Sequence, residues 1–159
     1  MKKLLLPATL LLGSGLAVVG TAHAAIASGT LNVSANITSD CTVSTSPVDF
    51  GTVSGATGAS ATGSIDVTCS VLTPYTIALD GGANFDGTYR RITDGVNFMI
   101  YQLSDAATSQ LWGDNSILGS TVPGAGTGVA VNYGVSANLW PAVGPSGIYS
   151  DIVTVTVTY

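Results

Sequence analysis

The residues able to do acid–base or nucleophilic chemistry are few and poorly mixed. Nine aspartates supply every acidic side chain, the basic ones are Lys2, Lys3, Arg90 and Arg91, and the single histidine is His23. Lys2 and Lys3 precede an apolar run from Leu4 to Val19 that ends at Ala22-His23-Ala24. A basic start, a short apolar stretch and a small-x-small tripeptide read as a secretory signal peptide, residues 1–24, with an uncleaved anchor as the alternative. Cleavage there removes the histidine and both lysines. Residues 25–159 then contain no His, Glu or Lys, so neither a Ser-His-Asp nor a Ser-Lys arrangement can be assembled. Paired aspartates remain conceivable for hydrolysis, yet none forms a local constellation, and the expectation is a protein that is not an enzyme.

Metal and cofactor chemistry finds equally little support. In "GANFDG", Asn84, Asp86 and Gly87 resemble the later part of a calcium loop, but Gly82 stands at the first ligand position and Thr93 where a bidentate Glu belongs. An Asp-Gly turn is the expected reading, and no metal or cofactor is expected. Arg90 and Arg91 point to opposite faces of a strand and are read as solvated edge or rim residues. Two arginines against nine scattered aspartates argue against nucleic acid and against an anionic membrane surface as partners.

The elements that would position any site are strands. Charged residues make up 8% of the chain, Gly recurs every few residues, and no apolar stripe of helical period extends over three turns. Leu31, Val33, Ala35 and Ile37 alternate with polar residues and read as a strand. Val48 to Phe50 is a short strand-like piece in a loop of small residues. Ile65, Val67, Cys69 and Val71 share a face, as do Tyr75, Ile77 and Leu79. Turns follow at Asp80-Gly81-Gly82 and Asp86-Gly87. Val96 to Leu103 is apolar on both faces and reads as a central strand. Trp112 anchors a short strand or turn, and Val129 to Leu139 is the longest alternating run. In the final stretch, Val153, Val155, Val157 and Tyr159 face one way and Thr154, Thr156 and Thr158 the other. About seven strands in one exported domain predict an all-β, immunoglobulin-like β-sandwich. Cys41 and Cys69, in an oxidising compartment, are expected to pair, closing a loop that stabilises by roughly 3 to 4 kcal/mol. Trp112 and Trp140 are conceivable sugar platforms, although packed tryptophans are commoner.

The order "LNVSANITSDCTV", "VDFG", "GSIDVTCS", "YTIALDGG", "MIYQLSDAATSQLWGD" and "GIYSDIVTVTVTY" resembles the spore coat protein U domain family over Leu31 to Tyr159. That family includes subunits of archaic (Csu-type) chaperone-usher pili of Gram-negative bacteria. The resemblance implies a sandwich that lacks its last strand and is completed by donor-strand exchange, first from a periplasmic chaperone and then from a neighbouring pilin subunit, at an outer-membrane usher. It makes 25–38 the donor strand, carried by Leu31, Val33, Ala35 and Ile37, and 39–159 the pilin body. Val153, Val155, Val157 and Tyr159 become the strand beside the groove that the chaperone contacts. Burial of Leu31, Val33 and Ile37 would contribute roughly 5 to 8 kcal/mol before ordering costs. From periodicity alone, the same segment is equally a first strand paired within its own domain. The implied role is a structural subunit of a surface fimbrium, serving adhesion and biofilm formation. Tip adhesins of the group carry a further domain, so a shaft or adaptor subunit is the expectation. The alternative is a secreted coat protein packed in a surface layer without strand exchange.

Overall fold

The computed structural model describes residues 24–53, 58–141 and 145–159; nearly all of the proposed signal peptide lies outside them. The described residues fall into two units that divide after Asn36. In the first, the described residues 24–36 form neither strand nor helix and are exposed. The second is the sandwich.

Its strands are β1 (Cys41–Ser46), β2 (Ala59–Cys69), β3 (Pro74–Leu79), β4 (Arg90–Thr93), β5 (Phe98–Asp105), β6 (Val122–Ala125), β7 (Val131–Leu139) and β8 (Val155–Thr158). Five make one sheet in the order β1-β2-β7-β5-β4, and three make the other in the order β6-β3-β8, with antiparallel pairing throughout. No helix occurs among the described residues. The sheets bury alternate residues against each other, as a two-residue period requires. Ile65, Val67 and Cys69 of β2 face Ile77 and Leu79 of β3, with Leu103, Val135 and Ala137 beside them. Cys41 lies opposite Cys69 in the β1–β2 ladder, and the two form a disulfide.

Several expected elements change on this scaffold. Leu31 to Ile37 is not a strand: Leu31, Val33 and Ile37 are 87–89% exposed, because alternation creates a strand only where another edge supplies hydrogen bonds. The first strand among the described residues is β1, whose Ser/Thr-rich sequence gives little apolar signal. Val48 to Phe50 is not a strand either. Val71 leaves the β2 face and is 66% exposed, since the chain turns at Leu72, whose φ is +63°. Val129 precedes β7 and is likewise exposed. β5 is an interior strand, as its two apolar faces predict, although Val96 belongs to the turn before it. β6 contains Pro123 and sits at a sheet edge, where the missing N–H disturbs no ladder.

The largest correction concerns Arg90. Its side chain is 2% exposed and lies in the core rather than on a rim. Nε donates to the Asp80 carbonyl at 2.8 Å, Nη1 to that of Trp112 at 2.9 Å and Nη2 to that of Leu79 at 2.9 Å. The fork thus satisfies three carbonyls at the end of β3 and in the loop after β5, which makes a buried guanidinium tolerable. Arg91 keeps the expected outward position, bonded to the Asn84 carbonyl, 3.6 Å from Asp86, and with its guanidinium over Phe98.

Candidate strand-acceptor cleft

β8 closes the three-stranded sheet on one side and β1 the five-stranded sheet on another, so each has an outer edge without a ladder partner among the described residues. Between them lies an apolar cleft of about 420 Å³. One wall is Asp151, Ile152, Val153 and Val155; the opposite wall is Thr45 to Val48 and Phe50. The floor is Ile65, Leu79, Tyr101, Leu103 and Val135, which are the residues of the core itself. A closed sandwich covers such a floor with a strand of its own. Here the floor opens between two walls.

The alternation at the end of the chain sets the β8 wall. Val153, Val155 and Val157 are half-buried against the core, while Thr154, Thr156 and Thr158 are exposed. Pairing with β3 sets Val155 opposite Leu79 and Val157 opposite Ile77. Val153 and Val155 line the cleft, Val157 packs on the core outside it, and Tyr159 is 56% exposed beyond the strand. The regular ladder is therefore shorter than the periodicity of Val153 to Tyr159 suggests.

What holds the approach to β8 is polar, and sequence reading missed it. Asp151 accepts the Tyr101 hydroxyl proton on Oδ2 at 2.7 Å, and on Oδ1 the Asn84 side-chain amide at 2.9 Å and its backbone N–H at 3.2 Å. Asp80 accepts the Thr154 N–H at 2.8 Å and the Gly82 N–H at 2.9 Å. Partial burial is the largest single influence on Asp80 and acts to raise its pKa. The bonds from Thr154 and Gly82 together outweigh it and hold the carboxyl below its ordinary value. Burial and the Asp151 carboxylate push Tyr101 well above its ordinary value, so it stays a neutral donor. Gly82, with φ +79°, lies so close to Asp151 that any β-carbon would collide with the carboxylate. These contacts anchor residues 150–154 at one end of the cleft while leaving the outer edge of β8 bare.

Other candidates from the sequence resolve as structural parts. Asp86 accepts the N–H groups of Thr88 and Tyr89, the bonds of an Asp-Gly turn. Among the described residues no cluster of three or more His, Cys, Asp or Glu could hold a metal, and no helix is long and apolar enough to cross a membrane. Trp112 is fully buried, its indole N–H donating to the Ile77 carbonyl at 3.0 Å, whereas Trp140 is 41% exposed.

Comparison with known proteins now adds to the geometry. The family model described as Spore Coat Protein U domain matches residues 27–156. Among solved structures, the chain is similar to one in the CsuC-CsuE chaperone-tip adhesion subunit pre-assembly complex from archaic chaperone-usher Csu pili of Acinetobacter baumannii. Identity is 25% and the TM-score 0.60, over 77% of this chain and 40% of that one. The similarity thus spans less than half of the solved chain. No curated protein matches at a significant level. With the family model covering most of its length, the chain belongs to the Spore Coat Protein U domain family.

Proposed function

We propose that this protein is a structural subunit of a surface pilus, exported to the periplasm after loss of residues 1–24 and assembled by a chaperone-usher pathway through donor-strand complementation. The observation that carries the reading is the cleft, whose floor is the hydrophobic core and whose β8 wall has an outer edge without a ladder partner among the described residues. An extended segment added there would gain main-chain hydrogen bonds from that edge and set alternate side chains on the floor. The family membership and the similarity to a chain from a chaperone–subunit complex support the same reading.

In this scheme a periplasmic chaperone fills the cleft first. The donor segment 25–38 of a neighbouring subunit replaces it at an outer-membrane usher, seating Leu31, Val33, Ala35 and Ile37 over the core. Their exposure in the chain is what a donor strand awaiting an acceptor requires. A head-to-tail contact of this kind does not close on itself and propagates into a fibre. The fibre serves adhesion and biofilm formation, and the role of this chain in it is structural rather than catalytic.

The test is co-expression with a chaperone and usher, followed by a denaturing gel run with and without boiling. The expected result is a ladder that collapses to one band on boiling and is absent when residues 25–37 are deleted, while the shortened chain still binds chaperone. A single band in unboiled samples of the full chain would favour the coat-layer alternative, in which subunits pack without exchanging strands.

A further inference from the structure

The outer face of the five-stranded sheet carries a feature that strand exchange does not use. Among the described residues five aromatic side chains are substantially exposed, and three of them, Tyr89, Phe98 and Trp140, lie at one end of this face. The register explains the gathering. Arg91 lies opposite Ile100, and the Trp140 N–H donates to the Ile100 carbonyl, so Arg91, Ile100 and Trp140 form one row across β4, β5 and the residue after β7, with Phe98 two residues from Ile100 on the same face. Tyr89 is the neighbour of that row, its ring centroid 5.5 Å from that of Trp140 and the planes inclined at 55°. Two large rings thus stand half in water at a shared angle rather than covering each other.

Uncharged polar groups flank them, and the charges beside them, Arg91 over Phe98 and Asp86 at Tyr89, face each other as an ion pair. Gln102 is half-buried beside Tyr89, and its side-chain amide has no partner among the described residues. Asn138 lies opposite Gln102 in the ladder; its Oδ1 accepts the Ser60 hydroxyl proton at 2.8 Å, which leaves the NH2 group to solvent. Beyond Asn138 the surface sinks into a shallow depression lined by Ser60, Thr62, Ser104 and Ser136. On the other side, where β4 begins at Arg90 and β5 runs on past Tyr101, a cleft of about 140 Å³ runs from Tyr89 and Gln102 past Arg90 and Tyr101 to Leu111, Ile117 and Leu118. Neither arginine presents a free charge here. The Arg90 guanidinium is turned inward to its three carbonyls, and Arg91 is engaged by Asn84, Asp86 and Phe98.

We propose that this face binds a neutral oligosaccharide containing N-acetylated hexoses. The C–H face of a pyranose ring packs on exposed Tyr and Trp rings, whose amphipathic character suits a surface that is half wet. The free amides of Gln102 and Asn138 and the hydroxyls beyond them match the alternating donors and acceptors of a sugar chain. The small cleft, lined by Gln102 together with leucine and isoleucine side chains, suits an acetamido group, whose amide hydrogen-bonds while its methyl is buried. The absence of a free charge selects against uronic and sialic acids. This inference is independent of the pilus reading, because the face lies on a different sheet surface from the acceptor cleft.

The experiment is calorimetric titration of the purified full chain with triacetylchitotriose and, separately, with maltotriose. Saturable binding of the acetylated trisaccharide is expected, with maltotriose at least about tenfold weaker. Trp140→Ala and Tyr89→Ser are each expected to weaken binding about tenfold or more, and Ile117→Asp, which fills the cleft with charge, to remove the preference for the acetylated sugar. Trp140→Tyr is expected to restore most of the affinity. Any variant with a lowered melting midpoint is set aside, and the remaining variants, with the two sugars on the wild-type chain, decide. The proposal is overturned by no saturation with either sugar, by equal affinities, or by wild-type affinity in the variants. It is also overturned if Trp140→Ala changes only the association of the chain with itself in sedimentation, which would make the face a protein interface.

Discussion

Around Trp112 the chain supplies its own cover for the core, whereas between β8 and residues 45–50 it leaves the core uncovered. In the first region Trp112 is fully buried, its indole bonded to the Ile77 carbonyl, and the Arg90 fork ties together the carbonyls of Leu79, Asp80 and Trp112. No buried side-chain nitrogen or oxygen lacks a partner among the described residues. In the second, Leu103 and Val135 meet a cleft whose walls are apolar and whose edge carries unused backbone groups. The two regions meet at Leu79, whose carbonyl holds Arg90, and at Leu103, whose carbonyl accepts the Trp112 N–H, both of which also line the cleft, so one hydrophobic core is finished on one side and open on the other. Local rigidity and an open binding seam therefore coexist, because the polar clamp at Asp80 and Asp151 holds the wall of the cleft from the finished side.

The comparison breaks first if the finished side is not what holds the sandwich together. Trp112→Ala is expected to cost about 3–5 kcal/mol, the range for emptying a large aromatic site in a core. Arg90→Met is expected to cost about 3 kcal/mol or more, since three buried carbonyls lose their donors at once. Urea denaturation measures both. A neutral Arg90→Met would show that the fork merely occupies space, and the contrast between a bonded and an open region would fail.

Next in size is the disulfide, which fastens the edge strand β1 to β2 and so steadies the start of the opposite wall of the cleft. Cys69→Ser is expected to cost about 3.5 kcal/mol from the entropy of a loop joining residues 28 apart. Periplasmic yield should fall with it. Equal yield and an equal melting midpoint would show that β1 is held by its ladder alone.

Much of the sandwich is legible in the sequence, and the parts that are not share a cause. The runs at Ile65, Tyr75 and Val135 announce themselves because alternation records which face is buried, and the run through Tyr101 because an interior strand is apolar on both faces. Cys41 and Cys69 can be paired from compartment and number alone. β1 stays hidden because an edge strand with one apolar neighbour needs little hydrophobicity. Arg90 is misread because alternation gives the direction of a side chain but not the carbonyls awaiting it from β3 and the Trp112 loop. Leu31 to Ile37 carries the pattern of a strand without forming one, because pattern describes a possible partner and cannot supply it. The valines of the cleft wall can be picked from the sequence, while Val48, Phe50 and the Asp151 clamp come from distant stretches that only the fold brings together.

The open side is tested by substitutions that leave the free chain almost unchanged. Val155→Thr replaces a half-buried methyl by a hydroxyl at the cleft and is expected to cost about 1 kcal/mol in the free chain. A synthetic peptide of residues 29–38 is expected to raise the melting midpoint of the wild-type chain lacking residues 25–37, because a ligand that binds only the folded state stabilises it in proportion to occupancy. Val155→Thr should reduce that rise at equal peptide concentration. An identical rise in both would move the peptide away from this wall.

The smallest expected effect marks a part of the finished side that should not communicate with the cleft. In the turn between β4 and β5, Asp94 accepts the backbone N–H groups of Asn97 at 2.7 Å and Val96 at 2.9 Å, and the Asn97 side-chain amide at 2.9 Å. These bonds, led by that from the Asn97 backbone, hold its pKa at about 2. The unfolded chain, with an ordinary carboxyl near ~3.9, binds this proton first as pH falls, so the contribution of Asp94 is complete above about pH 4 and disappears toward pH 2. Asp80, Asp86 and Asp114 are shifted in the same direction, and the sandwich as a whole should weaken through this window. Asp94→Asn should make the decline of urea midpoints between pH 4 and pH 2 shallower while leaving the response to the donor peptide at neutral pH unchanged. A decline as steep as in the wild type would remove Asp94 from the acid response, and a lost peptide response would show that this turn and the cleft are coupled after all.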